Sequence, residues 1–422
     1  MAGRLRLAVT GVQDQWLTGD PKISYFSSIY KRHTRFSTEA VGIPITGNVS
    51  LGGNAIARIP NNVGDLLRSV MLKLTLGELP NIPLPGNLYN ASIATSVIQH
   101  VDLVIGGQTI QRLTGDYIDM YNQLHSNKDD ADTTLYYMNG HNNQIQIVST
   151  PRTFYLNLPF YFFRNPSLAI PICAITRQLI EIHIKFKDVD DDVTFSYEEV
   201  NGNMVRTKTE LGSIVEASII TDFYFITRDE INFLLTRPMQ YIITQLQLST
   251  MQFKPNESKK SALLKFTNPV KELFFSAKEE TGTTNVTPGG VEDRLLNISS
   301  SDQAFSDRVT NKRSDYRFVK NIRFECNGKR VFDHTGKYLA YEQSLIHHTG
   351  CPDPAYEFYT YSFALKPELY YPTGQLNMSR IIHKKLDVEL DETSTSRNIN
   401  FSIYALNYNL LHVEGGIAGL KF

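Results

Sequence analysis

The sequence predicts an all-β protein: two tandem eight-stranded jelly rolls with a few short helices. Three observations predict it. The chain repeats itself: residues 97–124 read VIQHVDLVIGGQTIQRLTGDYIDMYNQL and residues 318–345 read FVKNIRFECNGKRVFDHTGKYLAYEQSL, aligned without a gap at an offset of 221 (335 − 114). Gly107 meets Gly328, Thr114 meets Thr335, Gly115 meets Gly336, Tyr117 meets Tyr338 and Leu124 meets Leu345. Solenoid units recur every ~20–50 residues, so a repeat at this distance is a whole domain present twice. Second, short runs alternate with period 2: LIEIHIKF (179–186), YIITQLQLS (241–249), KKLDVEL (384–390) and NFSIYAL (400–406). Short alternating runs with turn signals between them read as a sandwich or barrel, and two such halves with long connections fit two jelly rolls. Third, 22 Tyr and 23 Phe stand against a single Trp, a composition that favours strands.

In chain order, Asp20 as N-cap and Pro21 at the first helical position predict a helix over 20–33. Phe26, Ile29, Tyr30 and His33 would form its apolar stripe, with Lys31 and Arg32 at the end the helix dipole favours for cations. Residues before Asp20 read as a short apolar strand carrying Arg4 and Arg6.

Each copy of the repeat reads as a hairpin followed by a helix. Gly106-Gly107 and Asn327-Gly328 supply the positive φ values a tight hairpin requires. Thr114 and Thr335 are N-caps. Tyr117, Met120, Tyr121 and Leu124 form one stripe, and Tyr338, Tyr341 and Leu345 the other.

TRDEINFLLTRP (227–238) predicts a junction helix. Thr227 and Glu230 form a capping box, Ile231, Leu234 and Leu235 provide a packing face, and Pro238 ends it. The expected domains are an N-terminal segment with a short helix (1–36), a first jelly roll (37–227), the junction helix (228–239) and a second jelly roll (240–422). The polar stretches 126–150 and 278–315 exceed ordinary connections and read as surface excursions, one per half.

The net charge is −1, from 42 basic and 43 acidic residues, so no bulk field draws the chain to nucleic acid. Cys173, Cys326 and Cys351 are too few and scattered for a disulfide framework and imply a reducing compartment. The N-terminus lacks a signal-peptide apolar run, and no stretch approaches the ~18 apolar residues of a membrane span.

Four ordered segments carry a family resemblance: LTGDPKISYFSSIYKRHTRF (17–36), LPFYFFRNPSLAIPICAI (158–175), YSFALKPELYYPTGQLNMSRI (361–381) and NYNLLHVEGGIAGL (407–420). The third is the most specific, through Tyr361 to Pro367 and then Pro372, Gly374, Asn377, Ser379 and Arg380. The chain resembles the double jelly-roll major capsid proteins of nucleocytoplasmic large DNA viruses. The resemblance implies a structural protein, made in host cytoplasm and resident in the virion capsid. It implies trimeric, pseudo-hexagonal capsomers that tile an icosahedral shell, because a two-fold duplication in a three-fold oligomer approximates six-fold symmetry. The partners it implies are copies of the chain itself (a homotrimer and neighbouring capsomers), minor capsid proteins and an inner membrane, with the residues before Asp20 at the base facing inward. Direct nucleic-acid binding is not expected. A carbohydrate-binding jelly-roll protein and a minor capsid paralogue are the alternatives, because fold alone does not define function.

No chemistry-bearing constellation is expected: catalytic, cofactor-binding and metal residues are all read as none. Asp188, Asp190, Asp191 and Asp192 lack the spacing of a calcium loop and read as a solvated turn. His347, His348 and Cys351 are half of a zinc set without a second pair at finger spacing. No G-x-S-x-G elbow or P-loop occurs. Gly415, Gly416 and Gly419 follow a strand with no helix behind them and read as a tight tail at a neighbour's surface. Seven sequons occur, at Asn48, Asn90, Asn256, Asn285, Asn297, Asn377 and Asn400; those at Asn377 and Asn400 fall in expected strands and read as structural.

Overall fold

The structure is a computed structural model that describes residues 2–28, 30–79, 87–89, 92–127, 131–141, 150–188, 193–200, 203–208, 211–279, 285–286, 318–352, 358–391 and 398–422. It divides into two compact units, Met1–Phe36 and Ser37–Phe422.

The first unit departs from expectation. Helices form at Ala2–Ala8 and Val12–Thr18, whereas no described residue of 20–33 is helical. The supposed strand AGRLRLA is helical because Ala, Leu and Arg are all strong helix formers. The second helix starts where Asp14 Oδ2 accepts the Gly11 N–H at 2.7 Å, and it ends with the Gly19 N–H on the Gln15 carbonyl. Asp20 then takes φ +46°, a left-handed conformation unlike the extended one of an N-cap.

The second unit contains two jelly rolls. The first roll has β1 (Phe36–Pro44, whose first residue belongs to the first unit), β2 (Asn54–Ile59), β3 (Leu66–Leu76), β4 (Ile98–Ile105), β5 (Gln108–Thr114), β6 (Arg152–Asn157), β7 (Ile180–Phe186) and β8 (Ile214–Ile226). The second has β9 (Met239–Phe253), β10 (Lys259–Leu263), β11 (Pro269–Glu279), β12 (Val319–Cys326), β13 (Lys329–Thr335), β14 (Phe358–Ser362), β15 (Lys384–Leu390) and β16 (Ile399–Glu414). The sheets run β1-β8-β3-β6 and β2-β7-β4-β5 in the first roll, and β9-β16-β11-β14 and β10-β15-β12-β13 in the second. Each strand of one roll thus has its counterpart eight places later, in the same order. Outlying segments Asn87–Tyr89, Thr194–Val200, Asn203–Lys208 and Asn285–Val286 pair into a further sheet drawn from both halves. Residues 287–317, most of the second polar stretch, lie outside the described residues.

The hairpin of the repeat is the same in both copies. β4 and β12 begin 221 residues apart (319 − 98), as do β5 and β13 (329 − 108). Both hairpins carry a register shift at the same place, between Leu103 and Val104 and between Phe324 and Glu325. The turn residues Gly106, Gly107, Asn327 and Gly328 all have positive φ, as the hairpin demands. Thr114 Oγ1 accepts the Tyr117 N–H at 3.2 Å, and Thr335 Oγ1 accepts the Tyr338 N–H at 3.4 Å. A Cβ on Gly115 would collide with the carbonyl oxygens of Thr95 and Ile98, and one on Gly336 with that of Val319. Ile98 and Val319 are themselves counterparts, so both glycines answer the same close approach of backbone.

The helices that follow differ. Gly115–Leu124 is α-helical and buries Tyr117, Met120 and Leu124. Its counterpart contains a π turn over Tyr338–Glu342 and buries Leu339, Ala340, Gln343 and Ser344. Tyr338 and Tyr341 are half-buried, and Leu345 is 70% exposed, contrary to the stripe the repeat predicts. The first helix has the second roll lying over it, whereas among the described residues no roll lies over the second.

The junction helix spans Arg228–Thr236, capped by Thr227 with Glu230 as expected. None of its residues is buried: Ile231 and Leu234 are half-buried and Leu235 is exposed. The helix therefore lies on the surface and is not an element of either core. The Gly415-Gly416 turn, with φ of +62° and +86°, folds Ile417–Leu420 back onto β16. It docks on this chain's own first roll, where Arg177 N–H donates to the Gly416 carbonyl at 3.1 Å. The neighbour of that tail is thus intramolecular.

Candidate functional site

The seam between the two rolls is the most developed feature of the second unit. The second roll's sheet β9-β16-β11-β14 is buried on both faces along its inner strands β16 and β11. Leu273, Phe275, Ile403 and Ala405 point into the second roll's core. The alternate residues Phe274, Tyr404 and Leu406 join the core of the first roll. Strand alternation makes this possible, because successive side chains leave opposite faces. The first roll meets them with the helix Gly115–Leu124. Tyr117 lies edge-on to Phe274 at 5.5 Å between ring centroids and 6.3 Å from Tyr404. Burial raises the Tyr117 and Tyr404 hydroxyls well above the ordinary tyrosine range. Gln245 Nε2 adds a hydrogen bond to the Ile110 carbonyl at 2.6 Å.

A cavity of about 340 Å³ lies on this seam, lined from both rolls. Its polar wall joins His125, which follows the first roll's helix, to Glu272, His348 and Glu368 of the second. His125 stacks on Tyr121 at 3.8 Å, and its Nδ1 is 2.9 Å from the Tyr121 carbonyl. Arg164 donates to the His125 carbonyl at 3.0 Å. His348 Nε2 is 2.6 Å from Glu272 Oε1, with side-chain exposures of 1% and 2%. Glu368 is held by the Thr349 N–H at 2.9 Å and hydroxyl at 2.7 Å.

The environment splits the two imidazoles. Burial pulls His125 well below the usual histidine range, aided by Arg164 and His348. Burial also pulls on His348, but the Glu272 and Glu368 carboxylates outweigh it and push it up to about 9. Burial would raise Glu368; its contacts to His348 and Thr349 reverse this and hold it low. Burial pushes Tyr121 up to about 12.

Of the residues weighed from sequence, only His348 enters this wall. His347 lies beside the Leu365 carbonyl at 3.3 Å. Cys351 is exposed, and all three cysteines are free thiols. Asp190, Asp191 and Asp192 lie outside the described residues, as do Asn90 and Asn297. Asn377 caps a short helix by accepting the Ser379 N–H, and Asn400 stands in β16. Sequence reasoning missed His125, Glu272 and Glu368. The repeat could not reveal His125, because its counterpart at the 221 offset is Ile346.

Two rolls of identical strand order, fused through a sheet buried on both faces, define a double jelly-roll protein of the capsid type. Comparisons with known proteins agree. The description "Major capsid protein N-terminus" matches residues 24–226, and "Large eukaryotic DNA virus major capsid protein" matches residues 230–419. The major capsid protein of Pyramimonas orientalis virus is 28% identical, over all of this chain and 99% of the relative. That of Paramecium bursaria Chlorella virus 1 is 26% identical over the whole of both chains. A quasi-atomic structure of the PBCV-1 virus capsid shares the fold, with a TM-score of 0.71 and 21% identity over 94% of this chain and 100% of that one. The chain belongs to the major capsid protein family of large eukaryotic DNA viruses, whose members are structural proteins and not enzymes.

Proposed function

We propose that three copies of this chain join head to tail into a pseudo-hexagonal capsomer, the repeating unit of an icosahedral virion shell. One observation carries the reading. Inside the chain, the helix face of the first roll meets the outer face of the second roll's sheet. Because the rolls share strand order, one copy of each surface is left unmet among the described residues. The second roll's helix leaves Leu345 and Ile346 exposed, at 70% and 58%. The first roll's sheet leaves the paired Met71 and Ile220 half-buried, alternate to the fully buried Leu72 and Ile219. A head-to-tail contact repeated between chains makes a ring if the rotation closes, and three chains would present six rolls.

An obligate assembly of this kind buries more than ~2,000 Å² per interface. The near-zero net charge of −1 leaves little repulsion to oppose side-by-side packing. In this reading the partners are copies of the chain, neighbouring capsomers and minor capsid proteins. Mass photometry at nanomolar concentration tests it: a trimer is expected, and hexagonal particles should appear by negative stain. A monomer that stays monomeric on concentration would sink the capsomer.

A further inference from the structure

The polar wall of the seam has the donor arrangement of a transition-metal site. His125 Nδ1 is 2.9 Å from a carbonyl oxygen, so it carries the proton and leaves the Nε2 lone pair free. That Nε2 lies 4.0 Å from Glu368 Oε1. His348 offers Nε2–H to Glu272 at 2.6 Å, while its buried Nδ1 makes no hydrogen bond and lies 3.5 Å from the same Glu368 oxygen. The three ligand atoms all lie within 4.8 Å of one another. Zinc bonds of about 2.0–2.2 Å put tetrahedral ligand atoms about 3.3 Å apart, so small side-chain rotations close the set.

The outer contacts match as well. A metal-bound histidine nearly always donates its other ring N–H to a carboxylate or a backbone carbonyl. Here His348 uses the Glu272 carboxylate and His125 the Tyr121 carbonyl. A plain ion-pair network also turns both inward-facing nitrogens toward Glu368, His348 Nδ1 at 3.5 Å and His125 Nε2 at 4.0 Å, but it leaves the buried His348 Nδ1 without a hydrogen bond. We propose that His125 Nε2, His348 Nδ1 and Glu368 bind one divalent transition-metal ion, zinc by donor type, which staples the first jelly roll to the second. Two histidines and one carboxylate leave a fourth position, and the adjoining cavity of about 340 Å³ gives a water room to fill it.

The test uses the full-length protein, stripped with a chelator and titrated with Zn²⁺ by calorimetry. One equivalent per chain is expected, together with a rise in melting temperature. Co²⁺ in its place should give the intense visible absorption of four-coordinate cobalt. Glu272→Gln, at the carboxylate that hydrogen-bonds His348 and is not itself in the ligand set, should weaken zinc binding about 10–100-fold. Glu368→Gln should abolish both the cobalt spectrum and the melting shift. If Glu368→Gln does not fold, His125→Gln serves, because its amide can still reach the Tyr121 carbonyl. Wild-type protein that takes up no stoichiometric zinc or cobalt would overturn the proposal, as would uptake undiminished in folded His125→Gln.

Discussion

Asp102 and Arg323 occupy the same position in the two jelly rolls with opposite charge. Each stands 221 residues from the other (323 − 102), and so do their cross-strand partners Arg112 and Asp333. In the first roll Arg112 donates to both Asp102 oxygens, at 2.7 and 2.6 Å. In the second Arg323 donates to Asp333 at 3.0 Å. Directly opposite residues on one face need complementary charges, and either order satisfies the hairpin. Asp102→Arg alone should therefore destabilise the fold, and adding Arg112→Asp should recover part of the loss. A coupling of about 0.5–3 kcal/mol is expected from a double-mutant cycle in denaturant.

Asp333 also gives a pH prediction. The Asn321 amide and then Arg323 hold its carboxyl below the ordinary value. A depressed folded-state value stabilises above the unfolded pKa, near 3.8, and the contribution fades as pH falls through the folded value. Asn321→Ala should raise the Asp333 pKa as read by carboxyl NMR. An unchanged titration would show that the amide does not matter.

Gly115→Ala and Gly336→Ala should each cost about 1–3 kcal/mol, the range for overpacking, because the obstacle is a backbone carbonyl. Equilibrium unfolding measures this. A neutral Gly336→Ala beside a damaging Gly115→Ala would break the equivalence of the two copies.

Phe274→Ala removes a ring that belongs to one roll by chain and to the other by packing. A loss of about 3–5 kcal/mol is expected. Calorimetry should then show the rolls unfolding in two steps, since the seam that couples them is weakened.

The junction helix and the second roll's helix should behave in opposite ways. Leu234 is only half-buried, so Leu234→Ala should cost less than the ~2–5 kcal/mol of a buried leucine. Ile346→Glu changes an exposed residue and should leave the chain's own stability nearly unchanged while preventing the proposed trimer. Mass photometry separates these outcomes. A trimer that persists in Ile346→Glu would place the interface elsewhere.

The sequence by itself determined the local grammar. The turn glycines, the caps at Thr114, Thr335 and Thr227, the strand alternation and the duplicated hairpin follow from positive φ, orphan N–H groups and side-chain period. These are properties of a few neighbouring residues, so they are legible in a string. Tertiary structure decided which surfaces are covered. Leu124 and Leu345 are the same residue in the same repeat, yet one is buried and the other exposed, because among the described residues only the first helix has a roll over it. Phe274 and Tyr404 become core on the outer face of their own roll's sheet for the same reason. His125, His348 and Glu368 converge because two folded rolls bring together residues far apart in sequence, and no local pattern encodes that distance.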